Sequence, residues 1–316
     1  MNLRGWLFAL ILRFLTKGKS MGVLDGRVAV ITGGGHGLGR AYALRFAAEG
    51  AQVVVNSRSV DEGAESSAQA VADEIERAGG AAVAHTGSVS DWKTGAALVE
   101  CAVSTFGRLD VLVNNAGFLR DKMLVGMPES DWDDVVAVHL KGQFVPLRFA
   151  AAYWREQHKA GNPVQAAVIN TTAGAGLHGN VGQANYAAAK AGAAALSLVA
   201  ARELQRYGVR VNTISPLALT RMSEGVLGPV KTVQPSAEPA RNDDLDPDNI
   251  AALAVFLASP KCATTGQVFN AFGRRLGIYR GWTVVERLES ETRWTVDALA
   301  AALAHLPSDP PPFDPL

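Results

Sequence analysis

Tyr186 and Lys190 stand four residues apart in the segment Tyr186-Ala187-Ala188-Ala189-Lys190. On a helix that spacing puts both side chains on one face. An ammonium beside a phenol favours the phenolate and lowers its pKa, which suits the tyrosine to proton transfer near neutral pH. Alone, such a pair is usually a solvated helix face. A second feature gives it meaning. Thr32-Gly33-Gly34-Gly35-His36-Gly37-Leu38-Gly39 lies between the apolar run Val28 to Ile31 and a helical stretch. Glycines there allow a tight turn and a close backbone approach to a pyrophosphate, while the helix N-terminus adds free N–H groups and positive potential. These residues point to a dinucleotide beside a proton-transfer group, with Gly33, Gly37, Leu38 and Gly39 at the phosphates.

The end of the second strand should reach the adenine ribose, roughly 20 residues past the glycines. An acid there pairs with a 2′-hydroxyl and favours NAD. This chain reads Asn56-Ser57-Arg58. Ser57 occupies the acidic place and removes repulsion, and Arg58 is a cation suited to a 2′-phosphate. NADP(H) is the expected cofactor, with NAD(H) as the alternative.

Strands and helices alternate from Arg27 onward. Val28 to Ile31, Gln52 to Val55, Ala82 to Ala84, Leu109 to Val113, Ala166 to Ile169, Arg210 to Ile214 and Gln267 to Phe269 read as strands. Helices are expected over Arg40 to Glu49, Glu65 to Arg77, Trp92 to Phe106, Ala184 to Tyr207 and Asn249 to Ala258. Asp131 to Trp154 reads as one more helix, bent near Pro146. The alternation implies an α/β fold, a Rossmann-type doubly wound parallel sheet covered on both faces. We expect one cofactor-binding domain over residues 21–275 and a C-terminal extension over 276–316. Gly225 to Pro247, rich in proline, glycine and charge, reads as a loop near the strand ends, where such sheets bind ligands.

The chain has 316 residues, zero formal net charge, 48% apolar and 19% charged residues. That balance suits one globular domain with a large core and gives no support for nucleic-acid binding. Cys101 and Cys262 lie too far apart to suggest a disulfide framework, so a reducing cytoplasm is the simplest compartment. His36, His85, His158, His178 and His305 lack metal-ligand spacing, so no metal is expected. His178 is placed between the fifth strand and Tyr186, where it could face a substrate. Residues 1–20 carry a short apolar run, Trp6 to Leu12, flanked by Arg4, Arg13, Lys17 and Lys19. A spanning helix needs roughly 20 apolar residues. Three readings stay open: translation starting at Met21, a peripheral membrane or packing helix, or a weak signal sequence.

Taken together, the motifs resemble those of the short-chain dehydrogenase/reductase family over about Leu24 to Gly273. The resemblance rests on the glycine loop, Asn114-Asn115-Ala116-Gly117, Gln183-Ala184-Asn185-Tyr186 with Lys190, and Val211-Asn212-Thr213-Ile214-Ser215-Pro216. It implies hydride transfer between NAD(P)H and an alcohol or ketone. By that resemblance Tyr186 is the general acid or base, and Lys190 holds the nicotinamide ribose and tunes Tyr186. Asn115, Ala116 and Gly117 line the cofactor cleft, Ser88, Val89 and Pro216 complete the cofactor set, and Asp110 supports the fourth strand. The family also implies a homodimer or homotetramer. Small alanines on the helix from Ala184 to Tyr207 permit close packing, either on the sheet or against a second subunit.

Three residues depart from the family pattern. Counting thirteen back from Tyr186 reaches Ala173, where a serine usually orients the substrate oxygen. Loss of such a donor typically costs about 100- to 1000-fold in rate. Thr172 is adjacent but should point to the opposite face of its strand. His139 stands where asparagine is usual, as a further member of the catalytic group or a structural polar residue. Leu217 replaces the usual glycine after Pro216. Phe118-Leu119-Arg120-Asp121-Lys122, Val138-His139-Leu140-Lys141-Gly142 and Thr220-Arg221-Met222 resemble the dehydrogenase part of peroxisomal multifunctional enzymes of β-oxidation. That likeness implies a (3R)-hydroxyacyl-CoA, or a bulky CoA thioester or steroid, as substrate. The alternative function is a catalytically weakened relative that binds cofactor as a subunit or sensor.

Overall fold

The computed structural model describes residues 22–58, 66–218 and 245–307. The described chain opens with β1 (Val28–Thr32), α1 (Gly37–Ala48), β2 (Gln52–Ser57), α2 (Ser67–Arg77), β3 (Ala81–Thr86), α3 (Trp92–Phe106) and β4 (Val111–Asn114). It continues through α4 (Glu129–Val136), α5 (Gly142–Lys159), β5 (Ala166–Thr171), the short α6 (Gly174–His178), α7 (Ala184–Leu204) and β6 (Val209–Leu217). Then follow α8 (Pro247–Ala258), β7 (Val268–Phe272), β8 (Arg275–Tyr279) and α9 (Val296–Ala302). One sheet runs in the order β3-β2-β1-β4-β5-β6-β7-β8. Its strands pair in parallel except that β8 runs antiparallel to β7. This is the doubly wound Rossmann-type sheet that the alternation of apolar runs and helices predicts.

The strands are apolar on both faces because both faces are covered. Along β2, Val53 and Val55 pack with Phe46 of α1, Ile75 of α2 and Ile250 of α8. Val54 between them points the other way, into a layer with Leu98 of α3, Trp154 of α5 and Leu204 of α7. The two-residue period of a strand divides one valine run between two cores. Each fully buried side chain of this kind contributes about 1.5–3 kcal/mol. Trp154 also donates from Nε1 to Leu109 O (2.7 Å), which fixes α5 beside the start of β4. Asp110 supports the same strand: it accepts from Val28 N (2.9 Å) and is gripped by Arg108 (2.7 and 2.8 Å).

Several boundaries differ from the sequence expectation. β3, β5 and β6 run on to Thr86, Thr171 and Leu217, so they carry polar residues up to the end of the sheet where the glycine loop lies. The helix expected over Asp131 to Trp154 is interrupted by a π-turn over Ala137–Lys141, which separates α4 from α5. The distortion sits upstream of Pro146, which α5 accommodates. β8 was not anticipated: Gly273, at φ +53°, turns the chain back after β7. Past Tyr279 no described residue is buried, although Thr295 caps α9 through Ala298 N (3.1 Å). The apolar run near the N-terminus, Glu65, Thr220-Arg221-Met222 and most of the expected loop at Gly225 to Pro247 lie outside the described residues. Among the described residues, no helix is long and apolar enough to cross a membrane.

Candidate active site

The strand ends open into a cleft of about 900 Å³. Gly33, Gly37, Leu38 and Gly39 line it from the β1–α1 turn. Ser57 and Arg58 enter from the end of β2, Ser88 and Val89 follow β3, and Asn115, Ala116 and Gly117 follow β4. His139, Tyr186, Lys190 and Pro216 line the same cleft. The structure therefore brings every residue singled out for catalysis or cofactor contact to one cavity.

The glycine turn is tied to the end of β4. Thr32 Oγ1 accepts from Asn115 N (3.0 Å) and Ala116 N (3.2 Å) and donates to Val113 O (3.2 Å). Asn115 Nδ2 donates to Thr32 O (3.1 Å). A Cβ on Gly39 would overlap the Gly33 carbonyl and the Asn115 amide, so only glycine lets α1 start this close. No side chain caps α1, whose first N–H groups are left to a ligand. Ser57 has a local role as well: its Oγ accepts from Ala68 N (3.2 Å) at the start of α2.

Tyr186 and Lys190 lie one turn apart on α7. Lys190 is buried, and Nζ donates to Thr171 O (2.8 Å) at the end of β5. Burial lowers its pKa to about 7. Nζ lies 5.6 Å from the centre of the Tyr186 ring. The phenol itself is raised above its ordinary value, first by desolvation and then by the nearby Asp121 carboxylate. This corrects the expectation of a lowered phenol. The ammonium is turned to a carbonyl and its charge is disfavoured by burial, so loss of hydration dominates at Tyr186.

Ala173 lines the cleft just ahead of α6 and brings no hydroxyl. Thr172 does not replace it, because Oγ1 donates to Lys190 O (2.7 Å). Leu217 lines the cleft where β6 pairs with Phe272 of β7. His178 is exposed and stacks toward Tyr279 of β8, with ring centres 5.5 Å apart.

His139 sits in the π-turn, buried, with its ring edge-on to Tyr186 (4.9 Å, 88°). Nε2 lies 2.6 Å from Phe118 O and 3.0 Å from Phe118 N. The shorter contact implies that Nε2–H donates to the carbonyl. Gly117 gives the ring its room, since a Cβ there would overlap Cε1. Burial, and secondarily the Lys190 charge, lower the His139 pKa to about 3. The ring stays neutral, and Nδ1 is buried without a protein partner.

The structure gives partners to three polar groups to which the sequence assigned no role. Gln143 Nε2 shares the Thr171 carbonyl with Lys190 (2.8 Å). Gln183 Nε2 donates to Asp121 Oδ2 (2.9 Å). Asn185 Nδ2 reaches Arg120 O and Asp131 O (3.1 and 3.0 Å), clamping the start of α7. Gln183 and Asn185 were visible as neighbours of Tyr186, but only the fold gives them partners.

An NAD(P) dinucleotide fits this arrangement. The cleft joins an uncapped helix N-terminus to a buried ammonium whose three donors meet one acceptor, Thr171 O, among the described residues.

The family model for short chain dehydrogenases matches residues 27–226. A hydroxyacyl-CoA dehydrogenase, ChsB1, from Mycobacterium tuberculosis is 45% identical over 89% of this chain and 88% of its own length. The peroxisomal multifunctional enzyme type 2 of Drosophila melanogaster is 40% identical over 86% of this chain, which spans 44% of that longer protein. Among solved structures, a short chain dehydrogenase from Mycobacterium avium superposes with a TM-score of 0.83 at 46% identity, covering 93% of this chain and 99% of its own. The chain belongs to the short-chain dehydrogenase family. It is an oxidoreductase of the class that uses NAD(P)(H).

The neutral, buried His139 predicts an acid-sensitive fold. An unfolded histidine takes up a proton near pH 6.5, whereas native His139 resists it down to about pH 3. Between those values the unfolded state binds more protons, so stability falls as pH falls. His139→Asn should lose less stability than the parent between pH 7 and about pH 4.5 in urea unfolding. Equal losses in the two proteins would contradict the buried neutral ring.

Proposed function

We propose that this chain interconverts a 3-hydroxyacyl thioester of coenzyme A and its 3-oxo form, with NADP(H) preferred over NAD(H). The observation that carries the reaction is Tyr186 and Lys190 on one face of α7, in the same cleft as the uncapped glycine turn. The substrate class rests on similarity to the hydroxyacyl-CoA dehydrogenase of M. tuberculosis across nearly the whole chain. The resemblance to the multifunctional enzymes of β-oxidation also implies a bulky or steroid-like acyl group.

The bound nicotinamide supplies or accepts the hydride. Tyr186 is protonated in the cleft, so its phenol oxygen holds the proton that carbonyl reduction consumes. Lys190 is anchored by Thr171 O and would offer its remaining donors to the ribose of a bound cofactor. Gly33, Gly37, Leu38 and Gly39 hold the pyrophosphate. Ser88, Val89, Asn115, Ala116, Gly117 and Pro216 shape the cleft around the rest of the cofactor. His139 stays neutral beside Tyr186 and fixes Phe118 at the cleft wall. Ser57 and Arg58 at the end of β2 would meet the 2′ position of the adenine ribose, where a serine and a cation suit a phosphate.

One observation favours a second reading. With Ala173 at the serine position and the Thr172 hydroxyl spent on Lys190 O, the chain could bind cofactor yet turn over slowly. Cofactor binding without turnover on any hydroxyacyl or oxoacyl thioester would select that reading.

We also infer self-association. α5 and α7 flank an outer groove of about 600 Å³ in which the exposed apolar residues Phe144 and Val199 lie among Arg148, Arg155, Arg202 and Arg206. The free thiols of Cys101 and Cys262 accord with a reducing cytoplasm.

Three measurements test these proposals. Tyr186→Phe should abolish turnover in a nicotinamide absorbance assay while cofactor fluorescence still reports binding; retained turnover would move the proton to another group. Arg58→Ala should weaken NADPH binding at least tenfold more than NADH binding, whereas equal losses would defeat the NADP(H) preference. Light scattering should return the mass of a dimer or tetramer, and a monomer mass would contradict self-association.

A further inference from the structure

Ala173 leaves the substrate oxygen without the donor that the family places there, and the adjacent Thr172 hydroxyl is committed. Thr172 Oγ1 donates to Lys190 O (2.7 Å), while Thr171 Oγ1 is buried at the strand end without a hydrogen-bond partner among the described residues. The start of α7 offers a second donor beside Tyr186 from another element. Gln183 precedes Tyr186 by three residues at the N-cap of α7, a spacing that brings the two side chains to one side of the helix start. It is 6% exposed and lines the cleft. Its amide is held at both ends. Oε1 accepts from Asn180 Nδ2 (2.9 Å), and Nε2 donates to Asp121 Oδ2 (2.9 Å). The backbone reinforces the pairing, because Lys122 N donates to Gly182 O (2.8 Å) and Lys122 bridges Gln183. A primary amide nitrogen carries two donors. Asp121 takes one, and the second remains for the cleft.

We propose that Gln183 Nε2 is the second hydrogen-bond donor to the substrate oxygen, serving in this chain where the serine hydroxyl is missing. Asp121 and Asn180 are then positioning residues that fix the amide. The proposal rests on the ketone–alcohol reaction described above. In reduction, the carbonyl carbon accepts hydride from NAD(P)H, which is oxidised. The carbonyl π pair moves onto oxygen, and that oxygen takes the phenolic proton of Tyr186. Gln183 N–H stabilises the negative charge while it develops, and solvent restores the Tyr186 proton. A fixed donor aimed at a developing oxyanion is worth about 100- to 1000-fold in rate.

The test compares reduction of acetoacetyl-CoA by NADPH in four proteins: the parent, Gln183→Met, Ala173→Ser and the double variant. Methionine keeps the length of the side chain and removes the donor. Gln183→Met should lower kcat by about 100-fold in the parent. In the Ala173→Ser background, where a hydroxyl supplies the donor, the same substitution should cost less than about tenfold. Equal losses in both backgrounds would reveal a structural role, and an unchanged kcat in the parent would remove Gln183 from the chemistry; either result overturns the proposal. NADPH fluorescence titration should give the same Kd for all four proteins. If Gln183→Met fails to bind NADPH, Gln183→Asn replaces it, since the shorter side chain withdraws the amide and predicts the same loss and the same rescue. Turnover by Ala173→Ser with none by the parent would overturn the role of Gln183 alone. No turnover by either, with NADPH bound, would also contradict the proposed reaction.

Discussion

Two hydrogen bonds run in opposite directions between the end of β5 and one residue of α7. Lys190 Nζ donates to Thr171 O, and Thr172 Oγ1 donates to Lys190 O. Together they staple the helix that carries Tyr186 to the centre of the sheet. A buried ammonium is costly unless its donors are met, and the Thr171 carbonyl meets one of them in a place no helix could supply by itself. Gln143 shares that carbonyl, so the start of α5 is drawn into the same knot. Deeper in, Asn170 joins Asn114 Nδ2 to Ser197 Oγ (2.8 Å each), coupling β4, β5 and α7. The position of the tyrosine thus depends on polar bonds inside an otherwise apolar sandwich.

The same staple explains why the missing serine matters. β5 ends at Asn170-Thr171, and the Thr172 hydroxyl just beyond it is turned inward to hold α7. A threonine next to the vacant position looks like a substitute on paper. In the fold its oxygen is already used, and releasing it would break one of the two bonds that hold α7 to β5. Rigidity at Lys190 and hydroxyl chemistry at Thr172 cannot both be had, which shifts attention to the amides at the start of α7.

Much of the fold was legible because buried parallel strands must be apolar throughout and must end where glycines or polar residues begin. Val53, Val54 and Val55 announce a two-faced core without any knowledge of its partners. The glycine turn and the Tyr186–Lys190 spacing reported local geometry, and the structure gathers both at one cleft. Other features were hidden for physical reasons. A π-turn at Ala137–Lys141 adds one residue to a helix period and leaves the apolar pattern nearly intact. β8 is exposed along most of its length, so it lacks the apolar signature of a covered strand. The raised pKa of Tyr186 reflects desolvation, a property of everything packed around the phenol, which a four-residue spacing does not encode. Gln183 and Asp121 lie 62 residues apart in the chain and meet only in the folded structure.

Lys190 is the point at which fold and chemistry meet, so the most direct measurement is a crystal structure of the chain with NADP⁺ bound. Lys190 Nζ should keep its bond to Thr171 O and place its remaining donors within hydrogen-bond reach of the nicotinamide ribose hydroxyls, with the pyrophosphate over the N-terminus of α1. A cofactor bound with its ribose beyond reach of Lys190, or a lysine swung away from Thr171 to meet it, would contradict the arrangement described.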